Sequence, residues 1–263
     1  TADRAAVQYD GQHALIGWKI YPEFSKDGIH VCDPVAIQDD WSLFLSLDPG
    51  MSRSATVFMA VPPNRAHIYI YDCMVLSGAD SKRWAQQIAM RPEAKRFRAW
   101  IIDEHAGRQR GMAGGKTVAA QYHAAARELG VTPALFGPRD GFYPGCSDTA
   151  ARIQALKSAM WVRDSGEFAG TPLLQVCRGN CDELIRQIER AQFDAKTKSK
   201  RIGGEFDALD ALEYGVHYDP QPEWTIERRR DREPGNAILA FLEKRARRRA
   251  RQGGIRLPSM EMK

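Results

Sequence analysis

Several things are scarce or missing in this chain of 263 residues. No stretch approaches the roughly 18 consecutive apolar residues of a membrane-spanning helix, so a membrane partner is not expected. The N-terminus is polar and carries no apolar core of a secretory signal. Cysteine is sparse: five residues, an odd number, with no C-x-x-C. Cys177 and Cys181 are four apart, but no second ligand pair lies nearby, which favours reduced thiols in a cytoplasmic protein over a zinc site. No internal repeat and no long low-complexity segment occurs. A phosphate-binding P-loop is also missing. The stretch "GMAGGKT" (111–117) comes close, but G-x-x-x-x-G-K-[ST] requires glycine at position 110, where Arg110 stands. That stretch reads instead as a mobile, glycine-rich loop.

What is present is the composition of a globular protein, 43% hydrophobic and 27% charged. The net charge of +5 is unevenly placed. Residues 223–263 hold 12 Lys/Arg against 6 Asp/Glu, whereas the remaining 222 residues hold 26 against 27. A basic tail of this kind suits nucleic acid or an acidic protein surface. The Pro-rich, charged stretch 220–235 reads as a linker. The segment "NAILAFLEKRARRRARQ" (236–252) reads as an amphipathic helix whose basic half comes last, which suits the helix dipole.

Between these ends the pattern is mixed. "WSLFLSLDPG" (41–50), "ATVFMAV" (55–61) and "HIYIYDCMVL" (67–76) read as three strands of an antiparallel meander. A helix follows from 81, capped by Asp80 or Ser81. Then come a strand at "AWIID" (99–103), a helix at 117–130, a strand at "TPALFGP" (132–138) and a helix at 148–161. An extended piece at 172–177, a helix at 181–193, a basic loop or hairpin at 194–204 and a last helix complete the run. The expected fold class is therefore α/β: three antiparallel strands, then alternating helices and strands. Residues 1–40 read as a lead-in, 41–220 as the domain and 221–263 as a basic C-terminal tail.

The chemistry is carried by acids. Asp48 ends the first strand, and "DPG" alone is explained as a turn. Asp103 ends the fourth strand, with Glu104 and His105 after it, and no turn is demanded there. Burying a carboxylate behind "AWII" without a partner is costly. In "GGEFDALDALEYG" (203–215), Asp207 and Asp210 share one helical face, and Leu209, Leu212 and Val216 lie opposite. Ala208, Ala211 and Gly215 form a stripe of small residues that permits close approach to a sheet. Acids in a first helical turn favour the helix dipole, which accounts for Asp207 alone better than for the deeper Asp210. Carboxylates converging from strand ends and a helix suit hard divalent cations such as Mg²⁺ or Mn²⁺. Two such ions about 3.5–4 Å apart form the clamp of phosphodiester hydrolysis.

The motifs "LSLDPG", "WIIDEHAGR" and "GGEFDALDALEYG", in that order, resemble the C-terminal nuclease domain of the large terminase subunit of tailed bacterial viruses. The likeness runs over roughly residues 15–220. It implies an RNase H-like fold, two metal ions held by Asp48, Asp103 and Asp207 with Asp210 as an extra ligand, and Glu104 and His105 as auxiliary candidates. It implies an endonuclease cutting double-stranded viral DNA during packaging in the cytoplasm of the infected cell. Its partners would be a portal protein, a small terminase subunit and an ATPase motor, to which residues 1–40 would be the lead-in. DNA-binding candidates are Arg53, Arg108, Arg110, Lys116, Lys196, Lys198, Lys200 and Arg201, whose phosphate contacts would be insensitive to sequence. The alternatives are a Holliday-junction resolvase of the same fold and a catalytically silent DNA-binding or assembly module. An actin-like ATPase would require a second "DxG" loop, which is not found.

Overall fold

The computed structural model describes residues 19–50, 52–78, 80–110, 115–194, 201–202 and 204–222. The chain divides into two units, Thr1–Pro222 and Glu223–Lys263. The expected basic tail and its helix lie outside the described residues, as do residues 111–114 of the glycine-rich loop and Lys196, Lys198 and Lys200.

The first unit is built on strands β1 (Val31–Cys32), β2 (Ser42–Asp48), β3 (Arg53–Val61), β4 (Ile68–Ser77), β5 (Phe97–Ile102), β6 (Phe142–Pro144) and β7 (Leu174–Cys177). Its helices are α1 (Ser81–Ala89), α2 (Glu104–Arg108), α3 (Val118–Glu128), α4 (Thr149–Met160), α5 (Asp182–Arg190) and α6 (Asp207–His217). The seven strands form one sheet in the order β1-β7-β4-β3-β2-β5-β6. β2, β3 and β4 pair antiparallel, as the three apolar runs lead one to expect. β5 joins β2 in parallel, β6 joins β5, β7 joins β4 and β1 joins β7, all in parallel.

Both faces of the sheet are covered, which is why its central strands read as continuous apolar runs. On β2, Leu43, Leu45 and Leu47 face a core shared with Trp84, Trp100 and Tyr122, while Phe44 faces the opposite core. That opposite core contains Leu156, Leu184, Ile188, Leu209 and Leu212, from α4, α5 and α6. The helix starts follow their caps. Asp80 accepts from the Arg83 N–H, Thr117 from Ala120 and Asp148 from Ala150 and Ala151. Thr117, which invited comparison with a phosphate loop, is thus a helix cap that also donates to Asp140 at 2.6 Å.

Three expectations are corrected. Residues 132–138 form no strand. Ala134 and Leu135 donate to the carbonyls of Phe97 and Arg98, and a tight Gly137–Gly141 turn then delays the strand to Phe142. The helix expected over 181–193 ends at Arg190, because Ala191 accepts from Ile20 and Gln192 bridges Lys19. The residues just before 41 are more than a lead-in: Ile20 and Tyr21 are buried in the core and β1 extends the sheet. Among the described residues, no helix is long and apolar enough to cross a membrane.

Candidate active site

Parallel pairing of β2 and β5 sets the site. Leu47 is in register with Ile102, and the Asp103 N–H donates to the Leu47 carbonyl at 3.1 Å. Asp48 and Asp103 therefore leave the same end of two neighbouring strands. Beyond Asp48 the chain turns sharply. A Cβ on Gly50 would sit 2.0 Å from the Arg53 carbonyl oxygen, so "DPG" admits no side chain there. The turn returns Arg53, at the start of β3, to the same end of the sheet.

α6 supplies the other acids. A Cβ on Gly215 would lie 2.6 Å from Met59 Cε and 3.0 Å from Ser46 Cβ, while Ala208 and Ala211 are fully buried. The small-residue stripe thus seats the helix directly on β2 and β3. Its N-terminal residues Asp207 and Asp210 come toward Asp48. The consequence is electrostatic. The Asp48 carboxyl is pushed up to about 8, first by loss of water and then by the negative charges of Asp210, Asp103 and Asp207, with Arg152 acting against them. The structure therefore brings the four aspartates into one field.

Each of the other three is engaged. Asp103 caps α2, accepting from the N–H groups of His105 and Ala106 at 3.1 Å each. A helix start does occupy the position where no turn seemed demanded. Asp207 meets Arg53 Nε at 3.0 Å, but without the alignment of a hydrogen bond, and its Oδ2 is buried with no hydrogen-bond partner. Burial raises the Asp207 carboxyl, with Arg53 opposing. Asp210 accepts from Arg201 at 2.7 Å and lies 3.6 Å from Arg152. Among the described residues, no group of three or more His, Cys, Asp or Glu is gathered closely enough to form a ready metal cage.

Glu104 pairs with Arg108 and lies 3.9 Å from Arg139, and His105 is exposed. Of the cationic candidates, Arg108, Arg110 and Lys116 are exposed. Arg53 and Arg201 differ from expectation. Arg53 is drawn in by Glu183 at 3.3 Å, Glu205 and Asp207, and Arg201 by Asp210 and Glu213. Their charges answer the protein's own acids rather than face outward.

A second group went unnoticed in the sequence. Glu213, two turns into α6, is fully buried, yet it accepts from Tyr21 Oη at 2.7 Å, from Arg201 at 3.0 Å and from Arg152 at 3.4 Å. Arg152 also lies over the Tyr214 ring, 4.4 Å from its centroid. The partners of Glu213 come from residues 21, 152 and 201, so only an isolated acid in "ALEYG" could have signalled the group.

The model of the terminase RNaseH-like domain matches residues 45–219. Among solved structures, the large terminase of a thermophilic bacteriophage in complex with ATP-gamma-S is similar, with a TM-score of 0.56 and 16% identity, over 76% of this chain and 45% of that one. The P22 large terminase nuclease domain is similar with a TM-score of 0.53 and 19% identity, over 76% of this chain and 91% of that one. The chain thus spans less than half of the thermophilic phage protein and most of the P22 nuclease domain. At these identities the likeness is one of fold. No curated protein matches the chain.

Proposed function

The chain belongs to the terminase RNase H-like domain family, and on that premise we propose that it is a divalent-metal-dependent endonuclease. It would cut double-stranded viral DNA with low sequence specificity, as the nuclease portion of a large terminase. The observation that carries this reading is Asp48: a carboxylate at a strand end, deprived of water, in the combined field of Asp103, Asp207 and Asp210.

The residues fit Mg²⁺ or Mn²⁺ in chemistry. All are hard oxygen donors. Their negative field at Asp48 is uncompensated enough to favour its protonation, and the buried Asp207 Oδ2 lacks a hydrogen bond. Asp48, Asp103 and Asp207 would hold two ions, with Asp210 supporting from its place on Arg201. When bound, the ions would polarise the scissile phosphate and ease deprotonation of the attacking water. The chain's own part is to place the acids. Asp103 is oriented by two backbone N–H groups, and α6 is seated by Gly215. Arg53 pairs with Asp207 at 3.0 Å, and a bound divalent ion would compete with it for that carboxylate. Exposed Arg108, Arg110 and Lys116, with Lys196, Lys198 and Lys200, would take the DNA phosphates. The partners would be the portal, the small terminase subunit and the ATPase motor, in the cytoplasm of an infected cell.

The test is cleavage of supercoiled plasmid with Mg²⁺ or Mn²⁺. Asp48→Ala and Asp207→Ala should each cut at least about 100-fold more slowly, with the circular-dichroism spectrum unchanged. Cleavage that persists in both variants would sink the assignment.

A further inference from the structure

All five cysteines are free thiols, but two of them are not isolated. Cys32 on β1 and Cys177 on β7 stand directly in register on neighbouring parallel strands, with Sγ atoms 3.6 Å apart. β1 is only two residues long and forms the edge of the sheet, held by the Val176 N–H to His30 and the Arg178 N–H to Cys32. Cys177 is buried, whereas Cys32 is half-exposed, so a small reagent reaches the pair from the Cys32 side.

We propose that Cys32 and Cys177 are an oxidisable dithiol, a modification site that takes a hydroperoxide as oxidant and closes to a disulfide stapling the edge strand to the sheet. A disulfide requires sulfurs about 2.05 Å apart and Cα atoms about 4.4–6.8 Å apart. Neighbouring strands about 4.8 Å apart meet the second condition. The first needs the sulfurs to approach by about 1.5 Å, which a two-residue edge strand can supply more readily than a central one. The nearby alternative, Cys181, is occupied: its Sγ donates to the Ile70 carbonyl at 3.4 Å.

The thiols are also prepared unequally. The hydrogen bond from Cys32 lowers the Cys177 thiol to about 7, and the same bond pushes Cys32 up. Cys177 is therefore the thiol of the two that gives up its proton more readily. Its sulfur attacks one oxygen of a peroxide that enters past Cys32 and breaks the O–O bond, giving Cys177 sulfenic acid and a hydroxide, which takes up the proton Cys177 had released and leaves as one water. The Cys32 sulfur then attacks Cys177, the S–O bond breaks, and hydroxide leaves as a second water with the Cys32 proton. Two thiols lose two electrons in total, and one peroxide gains them.

The inference does not depend on nuclease activity, and neither does its test. The full chain is treated with a few equivalents of hydrogen peroxide, and its free thiols are counted under denaturing conditions. The count should fall from five to three, with a Cys32–Cys177 cross-linked peptide in the digest. Dithiothreitol should restore all five. The melting temperature of the oxidised chain should rise by about 5 °C or more, because the bond closes a long loop. Cys32→Ala should abolish the cross-link and the rise. Cys146→Ala, whose thiol lies elsewhere, should leave both unchanged. Five thiols after treatment, a link through Cys73, Cys146 or Cys181, or sulfinic acid at Cys177 without a link would each overturn the proposal.

Discussion

Asp48 and Glu213 are acids whose carboxyls have lost their water where α6 meets the sheet, and they are served in opposite ways. Glu213 is surrounded by donors: a tyrosine hydroxyl and two guanidinium groups. Asp48 is surrounded by its own kind, with Arg152 the main opposing charge. Burial raises both carboxyls. For Glu213 the raising cause is burial and Asp210, with Arg201, Tyr21 and Arg152 working against it. For Asp48 the neighbours add to burial. On the proposed function, the difference separates a structural charge from one kept for chemistry: the domain satisfies the former internally and would leave the latter to an outside partner.

Three substitutions test that contrast, from the largest expected effect to the smallest. Glu213→Ala should be the most damaging to stability, by about 3–5 kcal/mol in urea unfolding, because it removes the fully buried one of the two acids that Arg152 and Arg201 share and leaves Tyr21 Oη without its acceptor. A loss below about 1 kcal/mol would mean the network is incidental. Asp48→Asn should act in the other direction. The folded carboxyl titrates at about 8, above the ordinary unfolded value, so the folded state holds its proton longer. Through this group, stability in the absence of divalent ions falls as pH rises from about 4 to 8. Asn removes that fall, so with EDTA at about pH 8 the variant should exceed the parent by several kcal/mol, and the two should converge near about pH 4. A constant gap across pH would refute the account. Tyr21→Phe should cost about 1–1.5 kcal/mol, one hydrogen bond to a charged group. Its loss should nearly vanish in a Glu213→Ala background, which has no acceptor for the hydroxyl, if the bond is what Tyr21 contributes.

How much of this was legible in the sequence depended on range. The β2–β4 meander and the Asp80 cap follow from local alternation and capping chemistry, so they could be read directly. The small-residue stripe of α6 was visible as Ala208, Ala211 and Gly215, and the structure shows what it serves. Asp48, Asp103 and Asp207 could be singled out because each sits at the end of an element, where a charge needs a reason. Their engagement with Arg53 and Arg201 could not be read, since an arginine in a basic loop looks the same whether it faces solvent or an acid. Arg152 gave no sign either. Its partner Glu213 is 61 residues away, and nothing in "DTAARIQAL" sets this arginine apart as buried. The misplaced strand at 132–138 failed for a local reason: apolar composition suggested a ladder, but a glycine turn moved the pairing to β6.

The bond between Tyr21 and Glu213 spans 192 residues of sequence. It joins the segment that enters the sheet first to the helix that closes it last. Contacts of that separation form late, because a long stretch of chain must be ordered before they contribute anything. Asp207 and Asp210 ride on that same closing helix. During synthesis, then, a ribosome has released Asp48 and Asp103 long before the remaining acids exist. A nascent chain that ends between Asp103 and α6 carries the two strand-end aspartates without Asp207 and Asp210. On the proposed function, cutting competence would thereby be tied to completion of the domain, a form of timing written into chain order alone.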